Sequence, residues 1–383
     1  MTLFAAVGQA RALDGREAGL QAAHDALNQL GNLNPTLGIV ISSYRYDGQQ
    51  VISGVSSLTG SVPLIGLSTS GCLTSQGMNP HAVVVAFLAS ADVRADVQWF
   101  PGYAQTSREV IQLLADAFAR RPHQVNLLFA DGFNADLEQF CNAMPPGCRL
   151  IGGVSSGDLY LGNAYQIAGA QCGSGGLALA RLEGRLAIGV GYDHGWQPVG
   201  AHFRVTRSRG FWVRTLDGRP ASEAYAHLFG YPAREWAFPP LNQLVRLYPL
   251  GIEQEDKSLL LRSPLRIEAD GSFRMNTTIR DGAEAYLLVG GLSTCASAAQ
   301  RAVQQALTNL EGARPVLALV LVDYAWQLLY KAQPGADLLA VQEALGENIP
   351  IAGCYTLGQV VPVEAQPPKF LNQHMLVVLF GAS

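Results

Sequence analysis

The stretch Val62–Leu73, VPLIGLSTSGCL, decides how this chain reads. An apolar run behind Pro63 has the length and composition of a buried strand. Ser68, Thr69, Ser70 and Gly71 then end it in a small polar turn. The same order returns at Cys148–Leu159, CRLIGGVSSGDL, and at Ile349–Val360, IPIAGCYTLGQV. A strand and hydroxyl-rich turn written three times in 383 residues predicts a repeated structural unit.

Working outward, each copy has the same neighbours. In the first unit, residues 16–31 carry apolar residues at helical spacing and stop at Gly31, a glycine suited to the left-handed end of a helix. TLGIVISS then reads as a strand, QQVISGVSSLTG as a weaker helix, PLIGLST as a strand and HAVVVAFLAS as another. In the second unit, SREVIQLLADAFARRP is a helix with Ser107 as its N-cap, followed by the strand QVNLLFADGF and the helix ADLEQFCNAMP. CRLIGGVSS, GGLALARL and RLAIGVGYD complete it as strands. In the third, the helix STCASAAQRAVQQALTNLEG, the strand PVLALVLVDY, the helix ADLLAVQEALG and the strands IPIAGCYT and HMLVVLFGAS repeat the pattern. LFAAVGQA, ADVQWFPGY and AYLLVGG lead into the three units.

Helices alternating with apolar strands predict an α/β fold. Repeated strand-helix units form mixed sheets covered by helices, and a β-rich segment opens the second half. That segment, residues 201–281, carries Asp217-Gly218 and Asp270-Gly271 as hairpin turns and a helix from near Pro220. The organisation expected is therefore residues 1–198, with two α/β units, and residues 199–383, with the β-rich segment and the third unit.

Composition narrows the function. Hydrophobic residues are 49% of the chain and charged ones 15%, which supports a large core and not disorder. A net charge of −4, with Lys and Arg in no continuous run, points away from nucleic acid and anionic membranes. The N-terminus lacks a basic-then-apolar leader, and no apolar run is long enough to span a bilayer. A cytoplasmic location is expected, with the six cysteines as reduced thiols, since none stands in a CxxC pair.

The strand-end residues are the candidates for chemistry. Ligands in α/β sheets bind at the carboxyl ends of strands. Ser68, Thr69, Asp131, Ser155, Ser156, Asp323, Tyr324, Trp326, Tyr355, Thr356 and Gln359 all fall there and predict a pocket wall of hydroxyls, amides and aromatics. GVSSG at Gly153–Gly157 matches the G-x-S-x-G of serine hydrolases, with Ser155 as nucleophile. The sequence after it does not read as the helix that motif requires, and the sister copies do not keep the serine. The seven histidines show no metal-site spacing; His374 enters the last strand and His194 lies near the domain boundary.

PLIGLSTSGCL with HAVVVAFLAS resembles the N-terminal half of FIST-domain proteins. LDGRPASEAYAHLFG, IPIAGCYTLGQVVP and FLNQHMLVVLFG resemble the C-terminal FIST half. The resemblance covers nearly the whole chain. It implies a sensory module that binds a small ligand, an amino acid or other small polar molecule, and signals through a separate protein such as a histidine kinase or cyclase. One branch of the family implies a haem-based nitric oxide sensor acting on a histidine kinase or cyclic-di-GMP enzyme, with His374 or His194 as the haem ligand. The chain departs from the family pattern at Asp323 and Trp326, where Cys and Arg are frequent. It departs again at Gln359, where Glu is frequent, and at Leu371-Asn372-Gln373-His374.

Overall fold

A computed structural model describes residues 2–121, 123–159, 161–346 and 348–382. The first unit runs β1 (Phe4–Ala10), α1 (Gly15–Leu30), β2 (Leu37–Ser43), α2 (Gly48–Thr59), β3 (Leu64–Thr69), a hairpin of β4 (Cys72–Thr74) and β5 (Gly77–Asn79), and β6 (Val83–Ala89). The second repeats it as β7 (Val93–Phe100), α3 (Tyr103–Arg120), β8 (Val125–Ala130), α4 (Leu137–Ala143), β9 (Leu150–Val154), the hairpin β10 (Gln166–Ala168) and β11 (Gln171–Gly173), and β12 (Leu177–Gly184).

The third unit opens with β13 (Ala187–Asp193). An insertion then intervenes: β14 (Trp196–Arg209), β15 (Trp212–Leu216), β16 (Arg219–Pro220), α5 (Ala221–Phe229), α6 (Leu241–Leu244), β17 (Leu250–Glu253), β18 (Leu259–Arg262), β19 (Pro264–Ile267), β20 (Phe273–Met275) and β21 (Glu284–Gly290). The unit resumes with α7 (Leu292–Asn309), β22 (Arg314–Asp323), α8 (Tyr324–Leu329), α9 (Ala336–Leu345), β23 (Ile351–Thr356), the hairpin β24 (Gln359–Val363) and β25 (Gln366–Leu371), and β26 (Met375–Ala382).

The mixed α/β architecture is as expected. Three elements differ in detail. AYLLVGG, read as the lead strand of the third unit, is β21 and belongs to the insertion's sheet; β13, read as the close of the second unit, pairs antiparallel with β26 instead. The sequence could not separate them, because both are apolar runs of strand length. β14 runs across residues 198 and 199. The second-unit helix starts at Tyr103, ahead of Ser107, with a non-helical turn at Thr106.

Each unit pairs its strands alike. The first and last strands are antiparallel, the last and second antiparallel, and the second and third parallel. Each hairpin leaves its own sheet. β4 pairs β23 of the third unit, β10 pairs β3 of the first, and β24 pairs β9 of the second. Three sheets are thereby tied into a closed cycle. Ile39 and Ile41, Leu127 and Phe129, and Leu319 and Leu321 point into one shared core. Val40, Leu128 and Val320, one residue out of step, face the helices of their own units. Strands buried on both faces need near-continuous apolar sequence, which is what the repeats show.

The repeated glycine has a shared cause. Gly66, Gly152 and Gly353 stand in register beside Val40, Leu128 and Val320 on the parallel neighbour. A Cβ there would sit 2.1, 1.8 and 2.5 Å from those residues' carbonyl oxygens, so no side chain fits.

Candidate functional site

The pairing that closes the cycle brings the three repeated turns together. Ser68 donates its hydroxyl to the Ser156 carbonyl (3.0 Å) and accepts from the Tyr165 amide (2.9 Å). Ser156 donates to the Tyr355 carbonyl (2.6 Å) and accepts from the Ser70 amide (3.1 Å). Thr69 donates to the same Tyr355 carbonyl (2.8 Å). One residue from each repeat thus meets the others in a polar seam. Beneath it, the Tyr355 phenol donates to both carboxylate oxygens of Asp337 (2.9 and 3.1 Å). Burial drives the Asp337 carboxyl up to about 6, against the lowering pull of that hydrogen bond.

A second cluster surrounds Asp323. Its carboxylate caps α8 through the Ala325 amide, accepts from the Gln373 amide and pairs with the Arg246 guanidinium, each at 2.9 Å. Arg246 and Asp323 are both wholly buried. Thr356, in register beside Asp323, donates to the Val322 carbonyl and accepts from Gln359 (2.8 Å). The Trp326 indole donates to the Gln373 carbonyl (2.8 Å). Arg246 Nε, Gln359 Oε1, Asn372 Oδ1 and Gln373 Oε1 lie buried without a partner among the described residues. Buried atoms of this kind are ordinarily completed by bound water or a ligand.

Ser68, Thr69, Asp131, Ser155, Ser156, Asp323, Trp326, Tyr355, Thr356 and Gln359 are all buried, whereas Tyr324 is half-buried, with the Arg246 guanidinium 5.8 Å from its ring centre. Their polar atoms are largely engaged with one another and with nearby backbone. Asp131 accepts from the Phe133, Asn134 and Gly175 amides and so closes its own loop and ties it to the turn between β11 and β12. Ser155 donates to the Ala130 carbonyl and accepts from Gln166 (2.7 Å), neither of which is a general base. The chain after it continues through a loop to β10, without the helix of a nucleophile elbow.

The two histidines considered as haem ligands lie side by side. His374 donates Nδ1–H to the Asn372 carbonyl (2.7 Å) and sits edge-on to His194, ring centroids 4.7 Å apart. Burial and the neighbouring His194 ring push it down to about 3. His194 borders a cleft of about 480 Å³ whose wall is Trp196 beside the polar Asp193, Gln197, Ser293, Thr294, Ser297 and Arg301, a lining that gives no support to a porphyrin there. Among the described residues, no cluster of three or more His, Cys, Asp or Glu could hold a metal ion.

A larger cleft, about 1120 Å³, lies between α4 and the β17–β18 hairpin of the insertion. Arg262 pairs with Glu138 there at 2.6 Å, and Thr277 donates to the other Glu138 oxygen (2.7 Å). The residues next in the chain turn the other way. Ser263 accepts from Gln373, and Asn276 donates to the Leu357 carbonyl at the third strand end (2.7 Å). Arg262 thus faces the cleft while its neighbour Ser263 faces the buried strand-end cluster, and Thr277 and Asn276 likewise reach Glu138 and the strand end from adjacent positions.

The FIST N domain model matches residues 36–219 and the FIST C domain model residues 221–362. The chain belongs to the FIST family. FIST domains are in general small-ligand-sensing domains of signal transduction. An uncharacterised protein of Mycobacterium tuberculosis is 24% identical over 371 residues, covering 93% of this chain and 94% of its own. An uncharacterised protein of Mycobacterium bovis is 22% identical over 372 residues with the same coverage. Among solved structures, Thermotoga maritima PurL complexed with ATP matches 99% of this chain and 71% of that chain at 11% identity, with a TM-score of 0.25. A likeness this weak carries no argument. In FIST terms, the Arg262–Glu138 pair joins the two halves, with Glu138 in FIST N and Arg262 in FIST C. No described helix is long and apolar enough to cross a membrane.

Sequence reasoning missed Arg246, Arg262 and Gln373. A signal was present: Arg246 in LVRLYPL and Arg262 in SLLLRSPL stand inside apolar runs. A charge there is buried and needs a partner.

Proposed function

We propose that this FIST protein is a cytoplasmic sensor that binds a small polar molecule in the cleft between its FIST N and FIST C halves. The signal then passes to a separate signalling protein. The observation that carries the reading is the Arg262–Glu138 pair spanning the halves in the wall of the cleft. A ligand seated there changes the balance of the two halves, and the backbone neighbours Ser263 and Asn276 hand that change to the strand ends. Thr356, Gln359 and Asp323 serve in this reading as the receiving structure behind the cleft.

The ligand carries both an anionic group, such as a carboxylate, and a cationic one. The cleft carries charge of both signs: Arg280 and Lys369 are exposed and form no ion pair among the described residues, and the same holds for Glu255 and Asp256, whereas Glu138 and Glu253 are matched by Arg262 and Lys257. Amino acids have this chemistry. A thermal-shift screen of amino acids and small carboxylates tests it, with calorimetry on any hit. A ligand at roughly a hundred times its Kd adds about 2.7 kcal/mol and raises the melting point by several degrees. The shift is expected to vanish in Arg280→Ala/Lys369→Ala. A shift retained in that variant places the site elsewhere, and no shift with any compound removes the reading.

A further inference from the structure

A second surface of the insertion carries chemistry that the cleft does not use. Five arginines and one acid fall within residues 204–219. They are not contiguous in sequence, but the pairing of β14, β15 and β20 gathers part of them. Arg209 stands directly opposite Trp212, and Trp212 directly opposite Arg274. Arg214 follows Trp212 by two residues along β15 and shares its outward face. Arg207, Arg209, Arg214 and Arg219 are exposed, and none forms an ion pair among the described residues. Trp212 is 39% exposed, a large aromatic left open in the middle of these charges.

The row has a rigid base. The Arg274 guanidinium lies 4.4 Å from the Trp212 ring centre and 4.6 Å from that of Phe211. Its Nη2 donates to the Phe133 carbonyl (2.9 Å) on the loop that follows β8. A tryptophan held by a buried arginine and ringed by unpaired arginines has the composition of an interface hot spot. Its charge calls for a carboxylate-bearing partner, which arginine forks grip in pairs.

We infer that this face of the insertion is a docking surface for an acidic segment of a partner protein, with Trp212 as anchor and Arg209 and Arg214 as the specificity contacts. The inference goes beyond the ligand cleft and supplies the place where a signal leaves the molecule. A short acidic segment fits better than nucleic acid. The chain carries a net −4, and three carboxylates stand at the same sheet: Asp217 in the turn after β15, Asp270 in the turn between β19 and β20, and Asp281, bonded to Ser208 of β14. An extended polyanion would run off the arginines onto these carboxylates.

The test uses the full chain and a fluorescein-labelled five-residue peptide, two acidic residues on each side of one central Leu, read by fluorescence anisotropy. The expected result is saturable binding that weakens with salt and falls roughly tenfold or more in Arg209→Ala/Arg214→Ala and in Trp212→Ala. Arg108→Ala/Arg120→Ala, which removes two exposed arginines of α3, is expected to bind as the wild type does. An equal loss in that control reduces the effect to bulk charge and overturns the inference. So does tighter binding of a single-stranded oligonucleotide of equal charge. Self-association of the wild type in sedimentation, abolished by Arg209→Ala/Arg214→Ala, overturns it in favour of a contact between copies. Circular dichroism confirms that each variant is folded, and Arg209→Lys/Arg214→Lys keeps the charge while losing the forks, so partial rescue is expected.

Discussion

Asp337 gives the sharpest test of the buried seam. It stands under Tyr355 at full burial, and its carboxyl is raised from 3.8 to about 6 by the loss of water. The folded state therefore holds this proton more tightly than the unfolded chain does. Between about pH 4 and pH 6 the native state binds more protons, so stability falls as pH rises through that window. A rise of about 2 pKa units corresponds to about 3 kcal/mol lost between pH 4 and pH 7. His374 acts in the opposite sense. Its pKa is depressed to about 3, so its contribution is present at neutral pH and is lost as pH falls from about 6.5. The raw pH profile mixes the two, and Asp337→Asn separates them. The amide keeps an acceptor for the Tyr355 hydroxyl, which is 2.9 Å away, and removes the titration. Urea unfolding of both proteins at half-unit steps from pH 4 to pH 7.5 gives the difference curve. Wild-type stability relative to the variant is expected to decline by about 3 kcal/mol across the range. Parallel curves would refute the claim that a proton is held at Asp337 in the folded protein.

Two further outcomes follow from the same geometry. Ser156→Ala strips the Ser70 amide of its acceptor and leaves the Tyr355 carbonyl only the Thr69 hydroxyl from the seam, so a loss of about 2 kcal/mol is expected in denaturant unfolding. Residues 199–383 expressed alone lack β13, β4 and β5, half of the six-stranded third sheet, so they are expected to stay unfolded. Co-expression with residues 1–198 is expected to yield a co-purifying folded pair, checked by pull-down and circular dichroism.

Much of this was legible in the sequence, and the limits have physical causes. The repeated apolar run ending in Ser or Thr marked β3, β9 and β23, because strands buried on both faces leave a continuous apolar trace. The exchange of hairpins left no such trace: β4, β5, β10 and β11 are three residues each, too short for any periodicity. The hydroxyls of Ser68, Thr69 and Ser156 were legible as a group at one place, but not their arrangement. A hydroxyl turn facing a ligand and one facing two sister turns have the same composition. Arg246 and Arg262 carried the stronger hint, since a charge inside an apolar run has few ways to be satisfied.

The way the insertion is attached bears on how such a molecule would respond to a ligand. Exchange of β4–β5, β10–β11 and β24–β25 makes each sheet depend on another unit, so the three cannot separate without breaking strand pairs. The insertion enters through His194-Gly195 and leaves through Gly290-Gly291. Much of its grip on the cycle is polar: Arg246 on Asp323, Arg262 on Glu138, Arg274 on the Phe133 carbonyl, and Asn276 on the Leu357 carbonyl. Charge-assisted contacts depend steeply on distance and direction, so they hold one arrangement firmly and yield abruptly when it is lost. An interface built this way switches between arrangements more readily than an apolar core of the same extent deforms. Of the three arginines, Arg262 is the one that meets the cleft. In the proposed reading it is therefore the contact at which a bound carboxylate would compete with Glu138.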